Sequence, residues 1–471
     1  MRRWPVVVGA LLVQVSLGAI YAWGTFVPIL KASKGELAMM VRPEVLGIDP
    51  KTHKDWSDRA TILKRTMSDS RGAGLVSAKV AWETFLKGEV EPKLDTVSDA
   101  TWARYLAKFS GVQAKSIFST GLAVFAIVMI FSGRWQDRVG PRVVAMAGCS
   151  LLGVAYLAAS LDTTNFWWVL WWVGVVGGAG IGCAYVCPIA ACLKWYPESK
   201  GLITGLAVAG FGAGAFLFIN LAGAWAGLLA KGGVPLAFQT FGMIFLVFGG
   251  IGSSLLSNPP AGFSSAGPAK AAVISENDLT QAESVRTRTF WLMWTAFILS
   301  SGSGLMVIGA LKEFGSKEGG MSEGSAEQAL GMLALFNGLG RIVWGTAGQF
   351  FGPKRAAIAL MLLQAAMLSV LPSLAGSVAM LALAACWVGF QFGGNLSLFP
   401  LMTADRFGIK HLGANYGMVF TAYGVGGVVG PILAGYIWDT LHSYQWAFIA
   451  ASAACVVAAA LVSRIPRGKV A

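Results

Sequence analysis

Charge is what this chain has least of. Only 13% of its 471 residues are Asp, Glu, Lys or Arg, against roughly 25% in an ordinary soluble domain. An ordinary soluble enzyme is excluded. Histidine is scarcer still: His53, His411 and His442 fall in loops or at the ends of apolar runs, which leaves no buried imidazole for a proton relay. The six cysteines (Cys149, Cys183, Cys187, Cys192, Cys386, Cys455) lie within hydrophobic stretches with no histidine beside them. They read as small packing residues, not as a disulfide framework or a metal site. No nucleophile, base or metal cluster falls within the apolar runs, so neither an enzyme nor a cofactor is expected.

What the chain has in abundance is apolar surface: 55% hydrophobic residues, with 60 glycines and 18 tryptophans. Glycine and interfacial tryptophan are both favoured in membrane-spanning helices. The formal charge of +13 would suit a nucleic acid or an anionic surface, but the cations sit between apolar runs. They read as topology signals on cytoplasmic loops. The expected solvent is a lipid bilayer, and no nucleic acid partner is expected.

A helix needs about 20 apolar residues to cross the hydrocarbon core. Twelve such runs occur, at 5–30, 111–132, 143–161, 166–193, 201–229, 235–257, 289–314, 327–350, 356–374, 377–402, 412–437 and 443–464. The first follows Arg2 and Arg3 like a secretory signal, but it is too long and lacks a clear cleavage site, so it is expected to remain as a helix. With the amino terminus inside, the inside segments hold seventeen Lys and Arg and the short outside loops hold three. The positive-inside bias therefore puts both termini in the cytoplasm.

Residues 31–110 stand apart, with 14 cations and 11 anions. Long translocated segments largely escape the charge bias, so an extracytoplasmic insertion is expected here. Its stretches 55–68, 75–87 and 98–109 mix apolar and charged residues at helical spacing. Both a small helical cap over the outer mouth and a functionally silent insert remain open. Residues 258–288, rich in Pro, Gly, Ser and Ala, read as a cytoplasmic connector between 1–257 and 289–471.

An internal repeat supports that division. GRWQDRVGPR at 133–142 matches GTAGQFFGPK at 345–354 with an offset of 212, Gln349 standing where the first copy has Asp137. The same shift carries Pro188 onto Pro400, Gly201 onto Gly413, Gly205 onto Gly417 and Gly212 onto Gly424. Gly18 and Gly304 need 286, so the insertion measures 74 residues. The expected fold is an all-α membrane protein of twelve transmembrane helices in two pseudo-symmetric six-helix halves. That is a geometry of alternating access, with the substrate near the midplane.

The interior offers one strong ionic group. Arg341 lies about 13 and 21 Å from the two ends of its run at 1.5 Å per residue, and no Asp or Glu lies well inside any run to pair with it. At that depth it should face a cavity or a partner. An anionic substrate would supply the missing charge, since the planar guanidinium presents parallel donors to a carboxylate. The competing role is a gate bond to helix-end carbonyls or to a cytoplasmic loop. Asn337, four residues earlier on the same helical face, is a candidate ligand, as are Tyr21, Asn395 and Tyr423, with Gln14, Gln391, Trp387 and Phe392 weaker. Asp137, with Arg134, Arg138 and Arg142, can cap a neighbouring helix and pair with an arginine in one state only. A simple topogenic charge cluster is the alternative.

GRWQDRVGPR resembles the signature loop of the major facilitator superfamily. LGAIYAWGTF (17–26), KGLITGLAVAGFGAG (200–214), NGLGRIVWG (337–345), FGGNLSLFPLMTADRFG (392–408) and GANYGMVFTAYGVGGVVGP (413–431) resemble the oxalate/formate antiporter family, close in kind to the monocarboxylate transporters. The resemblance implies that Arg341 binds carboxylate and that the 133–142 loop is a conformational switch. Asn337 departs from the aspartate of many monocarboxylate transporters, which puts proton coupling there in doubt. Tyr423 departs from the lysine of oxalate transporters.

One buried cation favours a monocarboxylate such as lactate, formate or acetate over a dicarboxylate. The expected protein is a monomeric secondary transporter of small organic anions, with a proton or counter-anion as coupling partner. Oxalate/formate-type exchange, efflux of bulky apolar compounds and a membrane sensor using the insertion are the rival readings.

Overall fold

The computed structural model describes residues 3–70, 73–260, 278–317, 323–374 and 377–466. Among these there is no strand. The apolar runs become helices because lipid offers backbone groups no hydrogen-bond partner, and a helix satisfies them internally.

Among the described residues, eleven helices are long and apolar enough to cross a membrane. They are α1 (Trp4–Thr25), α2 (Gly111–Val139), α3 (Pro141–Ala159), α4 (Phe166–Trp195), α5 (Pro197–Ala222), α6 (Leu228–Leu255), α7 (Arg288–Ile308), α9 (Pro353–Leu374), α10 (Ala379–Phe407), α11 (Leu412–Leu441) and α12 (Gln445–Ser463). The run expected at 327–350 forms a further helix, α8 (Glu323–Phe351), outside those eleven. Several boundaries move. α6 starts before its apolar run and breaks at Gly232 and Gly233, where φ is −164° and +63°. The last third of α1, Gly18–Thr25, tightens to 3-10 geometry, and α4 widens to π geometry over Leu170–Gly177. Most of the expected 258–288 connector, and with it Lys270, lies outside the described residues, as do Arg2, Arg467 and Lys469.

Between α1 and α2 the chain forms short helices, the longest being Pro50–Asp69 and Ala73–Phe85. They share a small apolar core that includes Trp56, Phe85, Leu94 and Trp102. Bonds from Arg42 N to Ala230 O (2.7 Å) and from Thr164 Oγ1 to Ala103 O (3.0 Å) dock this unit on the first turn of α6 and on the α3–α4 turn.

The 212-residue shift reappears in three dimensions. Gly140 and Gly352 both take positive φ, +90° and +86°, and each is followed by a proline that opens the next helix, α3 or α9. A Cβ on Gly133 would lie 2.1 Å from the Gly413 oxygen, and one on Gly201 2.1 Å from the Gly345 oxygen. These two rungs exchange under the shift. So do the next pair, Gly205 against the Arg341 oxygen and Gly417 against the Met129 oxygen. Thus α2 lies on α11 as α5 lies on α8, backbone to backbone, as small residues permit in membrane helices. These crossings shut the end of the bundle that carries the α2–α3 and α8–α9 turns. At the opposite end, α11 is largely exposed from Val429 to Leu441.

Candidate functional site

Arg341 is 0% exposed, the largest of the fully buried side chains. Its Nε donates to Asn337 Oδ1 at 3.0 Å and its Nη1 to the Val208 carbonyl of α5 at 2.8 Å. Its carbon Cζ stands 5.4 Å from the centroid of the Phe211 ring. Nη2 has no partner among the described residues. The guanidinium thus bonds a carbonyl of a second helix and keeps one donor unpartnered among the described residues. The Val208 carbonyl lies inside α5, not at a helix end. A carbonyl offers partial charge only, so the full positive charge stays unneutralised, a costly arrangement away from water. Ser397 of α10 donates to the Arg341 oxygen at 2.8 Å and ties that turn of α8 in place.

Tyr21 and Tyr423 meet hydroxyl to hydroxyl, joining α1 to α11. Tyr185 of α4 belongs to the same ring cluster. Phe211 connects the group: the rings of Tyr21 and Tyr185 each lie edge-on to it at 5.4 Å. On the other side Phe420 stacks with Tyr423 at 5.0 Å and tilts over Tyr185 at 5.2 Å. Arg341, Asn337, Tyr21 and Tyr423 therefore come together in one aromatic-walled cluster.

Asn395 makes no hydrogen bond to that cluster among the described residues. Buried to 3% exposure, it accepts a hydrogen bond from Ser300 at 2.8 Å and so links α10 to α7. Gln14 donates to the Tyr185 carbonyl at 3.1 Å while its oxygen is left without a partner. Gln391 is buried with both side-chain atoms unpartnered. Trp387 donates to the Leu363 carbonyl at 3.3 Å, and Phe392 packs 6.2 Å from Tyr423. Sequence reasoning passed over Tyr185 and Tyr416, whose hydroxyls are buried. Tyr185 lies two thirds of the way along α4, where a buried tyrosine tip needs a partner, and that much was legible. Nothing in the sequence marks Tyr416, one turn into α11.

At the closed end, Asp137 accepts from the backbone N–H of Ala414 at 2.8 Å and of Gly413 at 3.3 Å. It caps the start of α11, where the unpaired N–H groups and helix dipole favour a carboxylate. No arginine pairs with it among the described residues. Arg134 donates instead to Gln281, Arg142 donates to the Leu256 carbonyl at 3.2 Å, and Arg138 is exposed. Gln349, in the Asp137 position of the second copy, accepts from Leu202 N at 3.2 Å and donates to the Glu198 carbonyl at 3.4 Å. Leu202 and Ala414 are again 212 apart, so a neutral amide does at α5 what a carboxylate does at α11. Just before α7, Glu283 is held below the usual carboxylate range by hydrogen bonds from the Thr280 backbone and hydroxyl.

The helix order, the twin crossings and the apolar spans define a multi-pass membrane carrier. The Major Facilitator Superfamily model matches residues 96–322 and 293–470, and the chain belongs to that superfamily of transporters. The oxalate:formate antiporter of Oxalobacter formigenes is 27% identical over 339 residues, covering 71% of this chain and 78% of that protein. Apicoplast pyruvate carrier 1 of Toxoplasma gondii is 26% identical over 477 residues, covering 89% and 81%. The crystal structure of the human organic anion transporter MFSD10 shares the fold, with a TM-score of 0.62 at 14% identity, over 98% of this chain and 100% of that one.

Proposed function

We propose that this transporter is a secondary carrier of small organic anions, with monocarboxylates of the lactate, formate and acetate type as its substrates. The observation that carries the reading is the fully buried Arg341 with Nη2 unpartnered and no carboxylate against it among the described residues. A substrate carboxylate can take Nη2, neutralise the charge and compete with Val208 for Nη1, while the hydroxyls of Tyr21 and Tyr423 donate to it once their mutual bond opens. One cation balances one carboxylate, which sets monoanions above dicarboxylates. The relatives named for oxalate:formate antiport and pyruvate carriage handle the same functional group.

The carrier works by alternating access. In this reading twelve spans form two six-helix halves, 1–257 and 289–471, joined by a cytoplasmic connector, with both termini in the cytoplasm and 31–110 outside. The closed end then faces the cytoplasm, and opening requires α2 to leave α11 and α5 to leave α8. Because Arg341 of α8 holds the Val208 carbonyl of α5, a substrate that draws the guanidinium away also removes one bond across the α5–α8 crossing. Binding and opening are thereby linked. The protein acts as a monomer, with a proton or a counter-anion as coupling partner.

Uptake into proteoliposomes tests this. Labelled formate, lactate and pyruvate should enter, oxalate should compete weakly, and Arg341→Ala should abolish carboxylate uptake. Full uptake by that variant, or a flat profile across carboxylates, overturns the proposal.

A further inference from the structure

The closed end is held by more than the two helix crossings. The segment leading into α7, residues 278–286, finishes in the short helix Gln281–Arg286. Leu279 N donates to the Phe407 carbonyl at 3.0 Å, and Lys410 N donates to the Asp278 carboxylate at 3.4 Å. Asn415 donates to the Leu279 carbonyl at 2.8 Å and accepts from the Ser284 hydroxyl at 3.0 Å. These bonds fix the segment to the α10–α11 turn and to the first turn of α11. Gln281 faces the other way and accepts from Arg134 Nε near the end of α2. Ser284 and Asn415 are fully buried and Gln281 nearly so. The segment therefore grips both α2 and α11, the two helices whose contact shuts this end.

The first copy anchors its own lead-in at the equivalent place. Arg3, just before α1, donates to the Trp195 carbonyl at 3.4 Å, and 195 shifted by 212 is 407. Both copies thus tie the approach to their first helix onto the same turn carbonyl. The second lead-in adds the bond to Arg134.

We propose that residues 278–286 are a strap that locks the closed end. α2 cannot separate from α11 until Gln281 releases Arg134 or the segment lifts from Asn415, where separation would leave buried polar groups without partners. The strap acts whichever solute is carried.

Amide hydrogen exchange on the full chain in nanodiscs reads this without any substrate. In the double variant Gln281→Ala, Ser284→Ala, the amides of 411–418 should exchange about tenfold faster than wild type, the effect of losing two ordinary hydrogen bonds. Those of 200–207 at the other crossing should change less. Wild-type exchange at 411–418 overturns the strap. A second pair, Arg134→Cys with Gln281→Cys, covers loss of folding in the first. Bridged by a short bifunctional thiol reagent, with the six native cysteines replaced by alanine, this pair should slow exchange at 411–418 relative to the unbridged form. Bridging without slowing also overturns the strap.

Discussion

A single methyl group placed between the crossing helices should unlatch the closed end. On Gly133 it would lie 2.1 Å from the Gly413 oxygen, and on Gly201 2.1 Å from the Gly345 oxygen, whereas ordinary contact begins near 3.4 Å. The helices must part by about 1.3 Å at that rung, because the obstacle is backbone and no side chain can rotate aside. Overpacking of this kind costs about 1–3 kcal/mol. Only the conformation closed at this end bears the cost, so opening should become roughly 5- to 150-fold more favourable. The assay is maleimide labelling of Thr204→Cys, a fully buried site one turn inside the closed end, with the six native cysteines replaced by alanine. Gly133→Ala and Gly201→Ala should each label faster by that factor. Gly435→Ala, whose Cβ meets nothing within 4 Å, should label at the parent rate. Parent-rate labelling in both crossing variants, or equal acceleration in the control, would refute the reasoning.

Removing one hydroxyl of the Tyr21–Tyr423 pair strands the other, so Tyr21→Phe or Tyr423→Phe should each cost about 1–3 kcal/mol, and the double variant little more than either alone. Thermal unfolding in detergent reads that non-additivity, and full additivity would contradict the shared bond. Asp137→Asn removes the charge from the α11 cap and should loosen the closed end by about 0.3–1 kcal/mol. Gln349→Asp, which places a carboxylate at the α5 start, should tighten it. The Thr204→Cys labelling rate should therefore move in opposite directions in the two, and movement in the same direction would undo the capping argument.

The apolar runs, the superfamily and the transporter class were legible because length, hydropathy and the GRWQDRVGPR loop are local properties of the chain. The repeat was legible too, since fixed glycines and prolines mark close approaches and positive φ whatever surrounds them. Contacts between distant helices were not. Arg341 and Asn337 share a helical face, so their bond could be read at four-residue spacing, but no local signal joins Arg341 to the Val208 carbonyl. The same holds for Tyr21 with Tyr423, 402 positions apart. Asn395 looked equivalent to Asn337 because both are polar and mid-span, yet its face of α10 turns to Ser300 of α7. Gln349 was noted only as a departure from Asp137, because an amide has no charge to advertise. The start of α6 was missed since Gly232 and Gly233 break the helix without ending it.

The claim at the centre is that Arg341 exists to meet a carboxylate. Equilibrium binding of labelled lactate to the purified full chain, wild type against Arg341→Ala, tests it most directly. Saturable binding to the wild type is expected, displaced by formate and lost in the variant. Equal binding to both proteins would contradict it.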